Sequence, residues 1–130
     1  MLTLIKRLSV FALSGLSFFS FSAEKDIRFP LQCLGTEPFW SLNVNQDSVI
    51  FEDLEENREE FSIKNIVQSN NHINRWFITF TSESKPTTKL MALHRTGSCS
   101  DDMSDSKYDY EVMILTTGTA AFSGCCNRLD

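Results

Sequence analysis

Four cysteines, Cys33, Cys99, Cys125 and Cys126, and two histidines, His72 and His94, are the residues of this 130-residue chain best equipped for chemistry. Thiols and imidazoles together can ligate zinc, but structural zinc sites bring their ligands in closely spaced pairs. Here no C-x-x-C occurs, and although His94 lies near Cys99, no second close pair completes a zinc pattern. The same lack of C-x-x-C removes the usual redox motif. An even number of cysteines in a small domain reads as disulfides if the chain is exported. Among the three pairings that four cysteines allow, a Cys125–Cys126 bond is disfavoured, because neighbours on a strand point to opposite faces. With Phe122 facing the core, period two puts Cys126 inward and Cys125 outward. The favoured pairs are then Cys99–Cys125 and Cys33–Cys126, with the crossed alternative left open.

Other constellations are weaker. Asp101-Asp102-Met103-Ser104-Asp105 has the look of a cation loop but lacks the glycine and closing glutamate of an EF-hand. A nucleophilic triad needs a serine or cysteine beside an oriented histidine, and no G-x-S-x-G is present. The acidic pairs Glu55-Glu56 and Glu59-Glu60 sit in a charge run, Asp53 to Glu60, which reads as a solvated loop. No residue set amounts to a catalytic site, and the expectation is a protein that is not an enzyme and needs neither cofactor nor metal.

The most distinctive segment is Cys33-Leu34-Gly35-Thr36-Glu37-Pro38-Phe39-Trp40. Gly35 and Pro38 punctuate a turn, and Phe39 and Trp40 open a strand with their rings on opposite faces. One reading is a plug that closes one end of a core. The other is a ligand mouth with an aromatic platform and Glu37 as an acidic anchor. Adding the Cys99–Tyr108 loop gives a candidate binding set of Glu37, Phe39, Trp40, Asp101, Met103, Asp105 and Tyr108.

What must position these residues begins with the N-terminus. Lys6 and Arg7 precede an apolar run from Leu8 to Phe21, and Glu24-Lys25-Asp26 follows. That is the plan of a secretory signal peptide, with the cut after Ser22. The run is shorter than the roughly 20 residues of a spanning helix, so no stable membrane anchor is expected after cleavage. Residues 1–22 are thus the expected signal and 23–130 a single domain in the periplasm or outside the cell. All 17 acidic residues follow the signal, as do 10 of the 12 basic ones, giving the mature chain a formal charge of 10 − 17 = −7. Such a domain repels phosphate backbones, so nucleic acid is not an expected partner.

After the signal, alternation dominates. Trp40, Leu42 and Val44 share one face, as do Trp76, Ile78 and Phe80, and Met91 and Leu93 oppose Leu90 and Ala92. Further strands are expected around Arg28–Cys33, Ser48–Phe51, Phe61–Ile66, Tyr110–Leu115 and Thr119–Ser123. Ser82–Thr88, with Pro86, and Gly97–Lys107 read as loops, and Thr117-Gly118 as a turn. The expected fold is all-β, a small antiparallel barrel (lipocalin-like or META-like) of seven or eight strands, stapled by disulfides. Closure is preferred to a sandwich because it removes strand edges.

With these motifs in order, the chain resembles a family of uncharacterised bacterial envelope proteins. Gly35 to Trp40 matches its G-x-E-P-F-W stretch. Cys99-Ser100-Asp101-Asp102-Met103-Ser104-Asp105 followed by Tyr108 resembles its C-x-D-x-M-S-D…Y segment, and Gly124-Cys125 its terminal G-C. Related proteins sometimes carry the unit as a lipoprotein or beside a META-type domain. The resemblance implies a cell-envelope setting and supplies no mechanism. The functional expectation is a non-catalytic binding or interaction module for a small molecule or an envelope protein. Alternatives are an inhibitor of a basic enzyme such as a lysozyme, and an enzyme of unrecognised type.

Overall fold

A computed structural model describes Gly15, Ser17 and residues 26–85, 87–117 and 119–129. The expected signal segment therefore lies almost wholly outside the described residues, as do Pro86 and Gly118. Eight strands follow in order: β1 (Leu31–Thr36), β2 (Phe39–Val44), β3 (Ser48–Asp53), β4 (Arg58–Gln68), β5 (Arg75–Ser82), β6 (Thr88–Ser100), β7 (Lys107–Thr117) and β8 (Ala120–Arg128). Each pairs antiparallel with its neighbours in sequence, and β1 pairs with β8 to close the barrel. The all-β antiparallel barrel expected from alternation is the fold observed.

Period two sorts the side chains. Trp40, Leu42 and Val44, Trp76, Ile78 and Phe80, Met91 and Leu93, and Tyr110, Val112 and Ile114 all point inward and are buried. They fill the barrel from end to end. Phe61 meets Phe80 edge-on at 5.1 Å between ring centroids. At that end half-buried Lys89 lies over the Phe61 ring, its ammonium donating to the Thr116 carbonyl at 3.0 Å. At the opposite end, Trp76 and Tyr110 pack at 6.3 Å, with the Arg95 guanidinium 5.4 Å from the Trp76 ring. The seam between first and last strands is closed covalently. Cys33 and Cys126 are direct cross-strand partners, both fully buried, and are joined by a disulfide. The second disulfide is Cys99–Cys125, so the favoured pairing is the one present. Two disulfides fit an oxidising compartment outside the cytoplasm. Among the described residues, no helix is long and apolar enough to cross a membrane.

Several strands run longer than expected, β8 to Arg128 and not Ser123 among them, and three differences bear on the turns and the site. The first strand starts three residues later and runs through Gly35, which is therefore strand and not turn; the link to β2 is the two-residue Glu37-Pro38. The charge run is not a single loop. Asp53 ends β3, and Arg58, Glu59 and Glu60 pair with Glu52, Phe51 and Ile50. Only residues 54–57 turn, held by Asp53 Oδ1, which accepts from the amides of Glu55 (2.9 Å) and Asn57 (3.1 Å). Arg58 and Glu60 face outward to water, while Glu59, on the side of buried Phe61, is half-buried. Finally, the expected loop from Gly97 to Lys107 contains strand. β6 continues through Ser100 beyond a bulge, where Thr96, Gly97 and Ser98 lie opposite Asp109 alone. Gly97 adopts φ 67°, a left-handed conformation that favours glycine.

Candidate functional site on the barrel exterior

Strand alternation sends the β1–β2 turn and the β6–β7 link to opposite ends of the barrel. The two motif segments nevertheless meet, because the bulge re-aims the far part of the β6–β7 hairpin. Beyond it the hairpin tip lies on the outer wall, where Cys99 is bonded to the outward-facing Cys125. Cys125 is the cross-strand neighbour of Leu34. Two residues further along each chain, Thr36 Oγ1 donates to the Asp101 carbonyl at 3.5 Å. The tip covers Cys125, which is only 1% exposed although it faces outward. A shallow groove of about 360 Å³ results, with Gly35 and Thr36 on one side and Ser100, Asp101 and Asp102 on the other.

The loop at the tip is built around Asp101. Its carboxylate accepts from the amides of Met103 (3.0 Å) and Ser104 (2.8 Å), from the Ser104 hydroxyl, and from the Tyr108 hydroxyl at 3.0 Å. These donors favour the ionised form, the Met103 and Ser104 amides most strongly, and hold the Asp101 carboxyl down at about 2. The same contact pushes the Tyr108 phenol above its ordinary range, chiefly through its hydrogen bond to Asp101. Asp101 and Tyr108 thus shape the loop instead of reaching outward. Met103 and Asp105 are exposed, Met103 at 66%.

The two rings of the Phe39-Trp40 pair separate as alternation requires. Phe39 is 47% exposed, beside Thr36 in the β1–β2 ladder. Trp40 is buried and faces the barrel interior, where it stacks with Phe122 at 6.3 Å. Its indole lies against two glycines. A Cβ on Gly35 would sit 2.0 Å from Trp40 Nε1, and one on Gly124 would sit 2.9 Å from Trp40 Cζ2 and 2.1 Å from the Leu34 carbonyl oxygen. Gly35, Trp40 and Gly124 therefore form one packing unit that plugs the barrel end. Glu37 and Phe39 of the first motif, and Met103 and Asp105 of the second, are left exposed.

His72 is exposed in the β4–β5 connection. His94 stands on the outer face of β6, between Arg75 of β5 and Glu111 of β7. Both disulfides are formed, and among the described residues no group of three His, Cys, Asp or Glu side chains is placed to hold a metal ion.

One surface escaped sequence reasoning. Val67, Phe77, Ala92 and Met113 are register neighbours across β4 to β7 and face outward, lining an open groove of about 660 Å³. Val67 (57%), Phe77 (54%) and Met113 (54%) are large apolar residues exposed to water. The signal was present strand by strand, as apolar residues at outward positions. The patch exists only once the register sets them side by side.

Comparison of the chain with models of known protein families, with curated proteins and with solved structures found no match.

Proposed function

We propose that this chain is a non-catalytic interaction module of the cell envelope, exported to the periplasm by its N-terminal signal. It engages its partner through the ledge formed by Glu37 and Phe39 with the 101–106 loop. The supporting observation is the Thr36–Asp101 contact, backed by the Cys99–Cys125 bond. Two segments 65 residues apart in sequence are held side by side, so less ordering entropy is lost on binding. The barrel interior is filled by its own side chains, which directs recognition to the outside.

The ledge presents apolar Phe39 and Met103 among the acidic Glu37, Asp102 and Asp105. That pattern suits a cationic protein surface with an apolar centre, and favours inhibition of a basic enzyme as the second reading. Titration against a panel of basic lysozymes and other cationic proteins tests both. Binding that weakens with salt and is lost in Phe39→Ser and Met103→Glu supports the ledge, and loss of lysozyme activity on binding supports the second reading. Binding by no member of the panel, or binding indifferent to both substitutions, removes the ledge as the contact surface.

A further inference from the structure

We propose that the outer face of β5–β7 is a self-association surface on which a second copy packs about a twofold axis running along β6. The outward residues of these strands form three rows. Arg75, His94 and Glu111 are one; Phe77, Ala92 and Met113 the next; Thr79, Leu90 and Leu115 the third. All nine are exposed or half-buried, while their inward neighbours are buried.

Two like faces packed together need a twofold axis in the plane between them, because the contact must be self-complementary. An axis along the central strand leaves β6 facing β6 and brings β5 of one copy over β7 of the other. Each row then pairs with itself, reversed. Arg75 of each copy faces Glu111 of the other, two opposite-charge contacts from one pair of residues. Phe77 faces Met113, an aromatic–thioether contact. Ala92 falls on the axis, and its small side chain leaves room for Phe77 and Met113 of both copies to lean inward. An axis across the strands, passing through the first row, would instead set Arg75 against Arg75. An axis across the strands through the second row would set Arg75 against Thr79, so of these orientations only the axis along β6 pairs opposite charges. A twist of about 30° between packed sheets keeps the contacts nearest the axis in place. The three rows supply nine residues a side, well short of the 20–30 of a standard interface. The dimer is accordingly weak and forms with rising concentration.

Sedimentation equilibrium of the oxidised protein from about 10 µM to about 1 mM reads the association. Single charge reversals test its geometry, since both positions are exposed and unchanged thermal unfolding verifies the fold. Arg75→Glu puts glutamate against glutamate, and Glu111→Arg puts arginine against arginine. Each is expected to weaken dimerisation at least ~10-fold. The double variant recreates opposite charges across the axis and is expected to return to within ~3-fold of the parent. A protein that stays monomeric throughout overturns the proposal, and so does a dimer insensitive to the single reversals or not restored by the double. Glu111 also lines the shallow groove beside Thr36 and Asp101, whereas Arg75 does not, so Arg75→Glu separates the failure of this proposal from that of the ledge.

Discussion

Thr36 Oγ1 donates to the main-chain oxygen of Asp101, 65 residues away, at 3.5 Å. β1, which ends at Thr36, and β6, which ends just before Asp101, send their turns to opposite barrel ends, so the contact requires the β6–β7 hairpin to fold back along the outer wall. Cys99 and Cys125 fasten it there. Opening that bond by a Cys99→Ser, Cys125→Ser double substitution should release the tip and leave the barrel closed by Cys33–Cys126. Hydrogen exchange is expected to accelerate across 97–108 and to stay slow at Ile78, Met91 and Val112. The separation of 26 residues implies a loss of about 3–4 kcal/mol in the chain-entropy account, measurable by urea unfolding.

Much of this arrangement is legible in the sequence, for identifiable reasons. Trp40-Leu42-Val44 and Trp76-Ile78-Phe80 alternate because one face is core and the other solvent, and both sets are buried as expected. The same period separates Cys125 from Cys126 and so gives them different partners; the structure decides between the favoured and the crossed pairing. Legibility fails where alternation fails. Thr96-Gly97-Ser98 inserts extra residues against Asp109, which hides the continuation of β6 and makes 97–107 read as loop. Alternation also sends Trp40 inward with Leu42 and Val44 and Phe39 outward. What it does not reveal is the space that admits the indole, left by Gly35 and Gly124 from strands β1 and β8. The Phe77–Met113 face needs the register of three strands at once.

The plug makes Gly35 intolerant of any side chain. Gly35→Ala would drive its methyl into the Trp40 indole, an overpacking that costs about 1–3 kcal/mol. Trp40→Ala empties the same space and should cost about 3–5 kcal/mol. Because the two sites share one volume, the combined variant should lose less than the sum. Additive losses in a double-mutant cycle followed by urea unfolding would show that Gly35 and Trp40 do not pack together.

Asp101 links the loop to pH. Its carboxyl sits near 2 in the folded protein, against an ordinary 3.8. A depressed folded-state value means that the stabilisation is fully present above the unfolded value and is lost as pH falls through the folded one. The window is therefore about pH 4 down to about 2. The stability difference between the parent and Asp101→Asn should shrink over this range, with the Met103 and Ser104 amide resonances of the parent titrating together. A parent whose loop resonances titrate near pH 4 would mean that those hydrogen bonds are not formed.

Joining the ends of the barrel closes the longest cross-link. Cys33 and Cys126 are 93 residues apart, and loop entropy assigns the bond about 4–5 kcal/mol. A Cys33→Ala, Cys126→Ala double variant should unfold at a clearly lower urea concentration with its β-sheet circular dichroism intact beforehand. Unchanged stability would show that the β1–β8 ladder closes the barrel unaided.

Fragment mapping of the unreduced protein, recovered from the cells that make it, tests the central claim most directly, with electron-transfer cleavage to separate Cys125 from Cys126. The account predicts a chain beginning at Ala23 in which Cys99 is bonded to Cys125 and Cys33 to Cys126, with no alkylatable thiol. Free thiols, or Cys99 bonded to Cys126 in place of Cys125, would contradict it, because the hairpin tip could not then be held on the outer wall beside Thr36.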